Sequence, residues 1–388
     1  GQPDFLEQAI NTILRKADLQ TKVVGKGPLP MAGEYTSEVI RKGAKAFFEA
    51  EAPEYLAKAV PLFHPPADPG PLMEVLPPRA PGFCTGCPER PIFTAIRLIE
   101  REMGRHHVSC DIGCHLFSIN APFNIGNTTM GYGLGGAGAS AFNVDAGKRA
   151  IAIMGDGGFW HNGLTSGIGN AVFNRSDNVT VIVDNMYAAA TGGQDLLSSR
   201  AENPTRSTKH PIADAVRGVG VKWLRRVRSY DVQRMTQALR EALTTPEKGP
   251  KVILAEGECQ LNRQRRVKPL FSKAVKEGKR VVRERFFVDS ETCTGDHACI
   301  RLSGCPSLTI KANPNPLKID PVAYVDNSCV GCGHCGEVTH AAVLCPSFSR
   351  VEIIFNPTLW DRIAARVRRA IIGLLQGGSR GTALAPAE

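Results

Sequence analysis

Four apolar runs rich in β-branched residues recur between residues 149 and 257, and segments with helical spacing separate them. Strands that alternate with helices predict an open parallel sheet covered by helices on both faces. Ligands of such sheets bind at the carboxyl ends of the strands. We therefore predict a doubly wound α/β domain over residues 81–262. The runs are RAIAIM (149–154), NVTVIVD (178–184), VKWLRRV (221–227) and KVILAEG (251–257).

The rest of the 388-residue chain divides by composition into four further segments. Residues 1–80 are interpreted as a connector, because their Pro-rich second half cannot form a packed element of any length. Residues 263–285 are interpreted as a basic linker, and residues 286–350 as a small Cys-rich α+β domain. Residues 351–388 contain an amphipathic helix, which we expect to pack on another subunit or on its own domain, and a tail rich in Gly, Ser and Ala.

The net charge of +10 is concentrated in one stretch of the chain. Residues 261–287 carry ten Arg or Lys against two acidic residues, Glu277 and Glu284. This stretch is interpreted either as a solvated linker or as a docking surface for an acidic partner. No motif for DNA or RNA accompanies it, so we do not expect nucleic acid as a partner.

The hydropathy and the first residues of the chain bear on its location. No run approaches the ~18 consecutive apolar residues of a spanning helix, so we expect no membrane segment. The opening sequence GQPDFLEQAI lacks the layout of a signal peptide, which predicts a cytoplasmic location. Because Gly1 stands where an initiator Met is usual, we also expect the chain to be a piece of a longer protein.

Seven of the twelve cysteines lie between residues 293 and 345 in two matching runs. Bacterial ferredoxins hold [4Fe-4S] clusters with C-x2-C-x2-C-x3-C-P, whose fourth Cys ligates the other cluster. In the downstream run nine residues separate the third Cys from the Cys-Pro pair, so an insertion must loop out. In the upstream run Asp296 stands where the second Cys belongs. The two runs favour iron–sulfur clusters over a structural zinc pair, because zinc sites rarely use Cys-Pro ends.

The crossover of the fourth Cys predicts two ligand sets. A carboxylate is a harder ligand than a thiolate, so we expect the cluster with Asp296 to convert between [4Fe-4S] and [3Fe-4S]. His297 is a weaker candidate for the same position. The first set is Cys293, Asp296, Cys299 and Cys345, and the second is Cys329, Cys332, Cys335 and Cys305.

The other five cysteines lie in the predicted α/β region. Cys84 and Cys87 form a C-x2-C pair, which is by itself ambiguous between zinc, a redox dithiol and a cluster. Cys114 and Cys259 follow predicted strands, so we expect them to meet that pair at one edge of the sheet in a four-thiolate site. Cys110 is then interpreted as a small buried apolar residue.

A Gly-Asp-Gly turn follows one predicted strand, and an Asp-Asn pair closes the next. A parallel sheet is expected to bring Asp156 and Asn185 side by side at its carboxyl edge. Their oxygens suit Mg²⁺, which takes one or two protein ligands together with phosphate oxygens. The helix after Gly157 directs its positive end at a diphosphate. This spacing is typical of enzymes that use thiamine diphosphate.

A second glycine motif competes with this interpretation. Gly131, Gly133 and Gly136 spell G-x-G-x-x-G, the fingerprint of dinucleotide-binding folds, with Asp156 twenty residues further on. No apolar strand precedes these glycines, and Asp156 already belongs to the Gly-Asp-Gly turn of the predicted Mg²⁺ site, which we call the metal turn. We interpret them as part of a small-residue helix that packs close to the cofactor.

Five motifs in this order resemble those of the 2-oxoacid:ferredoxin oxidoreductases, and most of all those of members that act on indolepyruvate. The resemblance covers about residues 20–350. It implies a thiamine diphosphate-binding fold followed by a small two-cluster ferredoxin-like domain. The motifs are FCTGCPER, SCDIGCH, GDGGFWHNG, DNMYAAATGGQ and the two-cluster region.

The resemblance also implies roles for particular residues. Asp156, Asn185 and the backbone carbonyl of Tyr187 are implied as Mg²⁺ ligands, and the TGGQ segment is implied to line the diphosphate and the thiazolium. A cluster beside the thiamine is implied at the four-thiolate site. The full set of implied cofactor-binding residues is Gly155, Asp156, Gly157, Gly158, Asn185, Tyr187, Thr191, Gly192 and Gly193, and that of the adjacent cluster is Cys84, Cys87, Cys114 and Cys259.

The activity that the resemblance implies is oxidative decarboxylation of a 2-oxo acid to an acyl-CoA, with coenzyme A as co-substrate. Electrons are implied to pass through the clusters to ferredoxin or a similar acceptor. His161 is a candidate acid or base near the substrate, although a His that only bonds to the backbone is an equal alternative. The implied partners are a pyrimidine-side thiamine domain or subunit, which we do not find in this chain, and a small partner subunit.

One departure from the family bears on the substrate. Pyruvate-type members have Asn before TGGQ, whereas this chain has Ala190. The loss of that polar contact favours a larger, less polar side chain, as an arylpyruvate enzyme requires. Enzymes for phenylglyoxylate or branched-chain 2-oxo acids remain alternatives within the class. An electron-transfer subunit with a vestigial thiamine site is the alternative from another class.

Overall fold

The computed structural model describes residues 4–31, 35–58, 82–142, 147–201, 204–343 and 345–375. The chain divides into two compact units, Gly1–Arg79 and Ala80–Glu388. Much of the Pro-rich stretch lies outside the described residues, so its interpretation as a connector stays a prediction. Among the described residues, the helices of the first unit are α1 (Phe5–Lys16), α2 (Ser37–Glu51) and α3 (Pro53–Lys58).

The second unit contains a six-stranded sheet with strand order β2-β1-β3-β4-β6-β5, in which every pairing is parallel. All four predicted runs form strands of this sheet. Two short strands that are not among these four runs extend it on one side. The strands are β1 (Val108–Cys110), β2 (Thr128–Thr129), β3 (Ile151–Gly155), β4 (Val179–Asp184), β5 (Trp223–Arg228) and β6 (Lys251–Glu256).

Helices cover both faces of the sheet. Alternate residues of each strand point to opposite sides, so Ile153 faces one apolar core and Met154 faces the other. On the first face α4 (Arg90–Met103) and α8 (Val232–Thr244) pack side by side. On the second face lie a long helix that follows β3, named α6, and α7 (Ile212–Gly218). The predicted doubly wound α/β fold is confirmed.

Helix α6 runs without a break from Asp156 through three segments. Its middle part is wound as a π-helix, which is rare and often marks functional sites. The small-residue helix α5 (Gly135–Ala141) packs against it so closely that a Cβ on Gly136 would touch the backbone of Gly167. The three segments of α6 are Asp156–Gly158, Phe159–Gly169 and Asn170–Phe173.

A small domain with two antiparallel strand pairs follows the sheet. β7 (Val281–Val288) pairs with β10 (Phe348–Phe355), and β8 (Leu308–Lys311) pairs with β9 (Val322–Val325). Two short helices, α10 (Ala298–Ser303) and α11 (His334–Val338), complete it, and a turn of π-helix at Thr339–Val343 follows. Its buried core combines Val288, Leu308 and Ala323 with two of the cysteines, Cys299 and Cys335.

The stretch interpreted as a basic linker is regular structure. Its first part forms α9 (Gln260–Lys276), and its second part forms most of β7. The reason is tertiary: Phe271 of α9 packs edge-on against Phe355 of β10, and β7 pairs with β10 along its whole length. Helix α12 (Leu359–Leu375) follows β10 and buries none of its residues in this chain.

A buried charge network joins the amino ends of β3 and β6. Lys251 is completely buried and forms an ion pair with Asp177, which also accepts a hydrogen bond from Arg149 at 3.2 Å. Arg149 further donates to the carbonyl oxygens of Leu243 and Thr245 at the end of α8. Although partial burial alone would raise it, these hydrogen bonds lower the pKa of Asp177.

We expect Asp177→Asn to lower the free energy of unfolding by about 3 kcal/mol at pH 7, because it leaves the Lys251 ammonium buried and unpaired. A lowered carboxyl pKa stabilises the fold above the unfolded pKa of about 4, and this contribution is lost as the pH falls through the folded value. Urea unfolding at pH 7 and near pH 3 measures both effects. Asp214→Asn, at an exposed ion pair, is the matched control; equal losses for both variants contradict the prediction.

Candidate active site

A cleft opens at the carboxyl edge of the sheet, between the ends of β1 and β3. In the sheet, β2 lies beside β1 and β4 lies beside β3, on opposite sides of the β1–β3 pair. The loops that follow β1 and β3 therefore run in opposite directions. Such a switch point is where open α/β sheets bind their ligands. Loops after β1, β3 and β4 line the cleft, and Glu89 completes the lining at the start of α4. The cleft residues are 112–115, Tyr132, 155–158, Asn185, 187–190 and Glu89.

Asp156 is buried at the base of this cleft. Its carboxylate accepts hydrogen bonds from the backbone N–H of Gly157 at 2.8 Å and of Tyr187 at 3.2 Å. Burial, with a contribution from Asp184, nevertheless raises the pKa of Asp156 to about 7. A nearby cation would stabilise the charged form of such a carboxylate.

Asn185 follows β4 directly and is also buried. Its side-chain oxygen Oδ1 has no hydrogen-bond partner among the described residues. A buried amide oxygen without a partner is costly, and a hard cation satisfies it. The oxygens of Asp156 and Asn185 therefore fit Mg²⁺ together with phosphate oxygens.

Two positions of the metal turn require glycine, because neighbouring side chains occupy the space that a Cβ would fill. A Cβ on Gly157 would overlap the hydroxyl of Tyr132, and a Cβ on Gly158 would overlap the carboxylate of Asp111. Asp111 is itself fixed, since it accepts a hydrogen bond from the backbone N–H of Gly133 at 2.8 Å. Of the glycines in the G-x-G-x-x-G motif, Gly133 packs against the metal turn, since a Cβ there would also overlap the carbonyl oxygen of Gly158.

The segment after Asn185 folds back on itself. Ala188 and Gln194 exchange two backbone hydrogen bonds of 3.1 and 3.3 Å, which close a loop. Thr191 and Gln194 are further joined through their side chains, and Gly192 is exposed. Gly193 has a φ of +100° and lies under the Tyr187 hydroxyl, where a Cβ would not fit. Of the TGGQ segment, no residue lines the cleft directly, whereas Ala188 to Ala190 do.

His161 lies on the π-helical part of α6 and is exposed. Its ring centroid is 5.1 Å from that of Tyr132, whose hydroxyl lies over the metal turn. His161 therefore lies beside the cleft without lining it. Its role as an acid or base stays a prediction.

The structure brings the four cysteines of the proposed proximal site near one another. Cys114, after β1, lines the cleft and lies within electrostatic range of Cys259, Cys84 and Asp156. Cys87 lies within range of Cys114. Burial raises the pKa of the Cys87, Cys114 and Cys259 thiols. These four side chains form what we call the proximal thiol group.

Cys110 stands apart from that group. It is completely buried in the apolar core, and its nearest polar partner is Ser118. Burial raises the pKa of Cys110 to about 12. A raised thiol pKa therefore does not distinguish the proximal group from Cys110. The presence of neighbouring cysteines distinguishes them.

The seven cysteines of the small domain fall into two groups. Cys299 lies within electrostatic range of Cys345, Cys293 and Asp296, which we call the outer group. Asp296 is exposed, and its Oδ1 accepts a bond from the Ala298 N–H at 3.0 Å. The second, which we call the inner group, consists of Cys305, Cys329, Cys332 and Cys335.

The structure turns His297 away from the outer group. Its Nε2 lies 3.1 Å from the carbonyl oxygen of Pro321. Within the described parts of the chain, no three His, Cys, Asp or Glu side chains converge closely enough to hold a single metal ion. A four-iron cluster makes a different demand, because each of its thiolates binds a different iron.

Several polar residues of the cleft were missed from sequence. Glu89 is buried, and burial raises its pKa to about 7. His115 and Asp111 form a buried ion pair; although burial alone would lower it, Asp111 raises the pKa of His115. Asp111 directly follows β1, so recognition of that strand would have revealed it. No sequence pattern marks Tyr132.

Residues 111–255 match the family described as thiamine pyrophosphate enzyme, C-terminal TPP binding domain. Thiamine pyrophosphate is another name for thiamine diphosphate. The match runs from the loop after β1 to the end of β6 and so includes most of the cleft. This part of the chain is therefore similar in sequence to a thiamine diphosphate-binding domain.

The chain is also similar to curated proteins named indolepyruvate oxidoreductase subunit IorA. It is 28% identical to that of Pyrococcus horikoshii over 337 residues, which cover 83% of this chain and 48% of the relative. It is 31% identical to that of Archaeoglobus fulgidus over 276 residues, which cover 70% of this chain and 41% of the relative. The resemblance predicted from the motifs is confirmed. The chain spans about half the length of these relatives.

Among solved structures, the 2-oxoglutarate:ferredoxin oxidoreductase of Magnetococcus marinus is similar at 18% identity and a TM-score of 0.40. The similarity covers 52% of this chain and 72% of that chain. None of the helices in the described ranges is long and apolar enough to cross a membrane.

We expect Gly158→Ala to lower the free energy of unfolding by about 1–3 kcal/mol, because the new methyl group displaces the fixed Asp111 carboxylate. Gly218→Ala is the matched control, since a Cβ there meets nothing within 4 Å, and a change within about 0.5 kcal/mol is expected. Urea unfolding of both variants measures the difference. Equal stability of the two variants would show that the metal turn is not tightly packed.

Proposed function

We propose that this chain carries the thiamine and electron-exit half of an enzyme that oxidatively decarboxylates an aromatic 2-oxo acid to an acyl-CoA. The observation that carries this proposal is the position of Cys114. Its thiol belongs to the proximal thiol group, and it lines the same cleft as Asp156 and Asn185. A redox group beside a thiamine site suits oxidation, whereas hydrolysis or simple decarboxylation has no use for one.

Asp156, Asn185 and the Tyr187 carbonyl would hold the Mg²⁺ and through it the diphosphate. Gly157 and Gly158 line the same cleft as Asp156 and are proposed to contact the diphosphate through their backbone. When bound, thiamine diphosphate supplies the carbanion stabilisation that decarboxylation of a 2-oxo acid needs. The protein positions the reacting groups and keeps water away from them.

The side-chain preference is inferred from the wall of the cleft. Ala188, Ala189 and Ala190 present methyl groups there. This apolar wall favours a substrate side chain without charge, and the names of the relatives support the indolepyruvate type. His161, beside Tyr132, is proposed as the residue that moves a proton to or from the substrate.

The three cysteine groups supply an exit for electrons. The proximal group borders the cleft. Cysteines of both the proximal and the inner group lie within electrostatic range of Arg90, so the inner group lies near the proximal one. The outer group includes the exposed Asp296. Clusters accept one electron at a time, so two electrons leave the cleft in steps. [4Fe-4S] clusters are proposed at all three groups, with a [3Fe-4S] form at the outer one.

The proposed partners follow from the family resemblance and from the charge of the chain. A pyrimidine-side thiamine domain or subunit, a small partner subunit and coenzyme A are required for turnover. Ferredoxin or a similar acidic acceptor would take the electrons. The basic residues of α9 and β7 suit an acidic partner, because opposite charges steer encounter.

Anaerobic analysis of iron, sulfide and thiamine in the purified chain tests the proposal, combined with low-temperature EPR after oxidation and reduction. We expect three clusters, a [3Fe-4S] signal in the oxidised state and bound thiamine diphosphate once Mg²⁺ and the partner domain are present. Clusters without thiamine under those conditions would identify an electron-transfer subunit with a dead thiamine site. A chain without iron would refute the proposal.

The two cysteines of the SCDIGCH motif provide a matched pair of variants. We expect Cys114→Ala to lose the proximal cluster, which removes about a third of the bound iron, because a four-iron cluster needs its four ligands. Cys110→Ala should keep all the iron, since its thiol faces the apolar core. Iron content and EPR measure both. Equal iron content in the two variants would contradict the assignment of the proximal group.

A further inference from the structure

Arg90 is the first residue of α4, and its side chain is completely buried. A guanidinium stays charged at every physiological pH, and such a charge is rarely buried without a partner. Its Nη1 donates a hydrogen bond to the carbonyl oxygen of Ser303 at 3.1 Å. Its Nε and Nη2 have no hydrogen-bond partner among the described residues. The oxygen atoms around Arg90 therefore satisfy its charge only in part.

Three cysteines lie close enough to this guanidinium to interact with its charge. Cys87 belongs to the proximal thiol group, and Cys305 and Cys332 belong to the inner group; all three lie within electrostatic range of Arg90. The hydroxyl of Tyr230, which donates to the Gly86 carbonyl, lies in the same region. One buried positive charge thus faces two separate cysteine groups.

Hydrogen bonds fix the contact between α4, which carries Arg90, and α10 of the small domain. The Thr94 hydroxyl, one turn further along α4, donates to the carbonyl oxygen of Leu302 at 2.7 Å and lies 3.3 Å from His334 Nε2. Leu302 and Ser303 are the last residues of α10, whose end leaves carbonyl oxygens without helical partners. Arg90 and Thr94 satisfy these oxygens, so α4 joins the sheet domain to the small domain.

We propose that Arg90 is a positioning residue shared by the iron–sulfur clusters of the proximal and inner groups, and that its buried positive charge raises both reduction potentials. This inference rests on the proposed function, which supplies the clusters. A cluster held by thiolates is negatively charged, and reduction adds one further electron. Net charge and hydrogen bonds to the sulfurs set cluster potentials, so a fixed positive neighbour favours the reduced form.

The position of Arg90 gives the shared effect a consequence for electron transfer. A charge near only one cluster would separate the two potentials and create a barrier or a trap. A charge between them raises both potentials together, so an electron that leaves the proximal cluster finds the inner cluster at a similar energy. The outer group is not among the groups that face Arg90, so its potential should be independent of this residue.

Redox titration of the anaerobically prepared full chain, monitored by low-temperature EPR, tests the proposal in Arg90→Met and Arg90→Lys. Arg101→Met, at an exposed position on the same helix, is the control. For Arg90→Met we expect the reduced-to-oxidised ratio of the proximal and inner clusters to fall about tenfold at the wild-type midpoint, which is about 59 mV for a one-electron couple. Arg90→Lys keeps the charge and should shift both potentials less.

Unchanged potentials in an Arg90→Met chain with full iron content overturn the proposal, as does a shift of one cluster alone. If Arg90→Met loses iron, the potentials of Arg90→Lys test the proposal instead. A smaller fall of both potentials in Arg90→Lys supports the shared role, and unchanged potentials refute it. A shift of the outer cluster, or an equal shift in Arg101→Met, also refutes it. A wild-type chain without clusters would instead refute the proposed function.

Discussion

Every strand of the main sheet is parallel to its neighbours, so all the loops that follow the strands emerge at one edge. This constraint brings together residues that lie far apart in sequence, from Cys84 before the first strand to Cys259 after the last. The switch in chain direction between β1 and β3 opens a cleft at the same edge. The metal turn and the proximal thiol group therefore lie at the same edge, and this topology allows the pairing of thiamine and redox chemistry that we propose.

The sequence could predict the strands because each is a short β-branched run with a polar residue at its end. It also predicts which cysteines belong together, because ferredoxin spacing and strand ends are local features, and these ligand sets stay predictions. The strands β1 and β2 are not among the four apolar runs, because three and two residues are too few to show a periodicity. The sequence also misjudged the basic stretch, because charge alone suggests solvation, whereas Phe271 on α9 and the pairing of β7 with β10 depend on residues some 70 positions away.

The polar residues around the cleft were the hardest to foresee. Glu89 and Tyr132 belong to no metal or phosphate motif, and only the folded chain shows that they line the same cleft as Asp156. Burial raises the pKa of Glu89 and of Asp156 to about 7. The edge of the sheet thus collects acidic groups that are difficult to ionise without a cation. Mg²⁺ binding would remove part of that cost, so the site and its metal depend on each other.

The segment from Cys84 to Thr94 is the junction of the whole second unit. Within eleven residues it contributes thiols to the proximal group, Glu89 to the cleft and Arg90 to the contact with the small domain. A hinge motion between the two domains would break the bonds of Arg90 and Thr94 to the end of α10 and leave a buried guanidinium without a partner, which costs several kcal/mol. We therefore expect the two domains to move as one body. Under the proposed function, electron transfer would then depend on a fixed separation between the proximal and inner groups rather than on a change of shape.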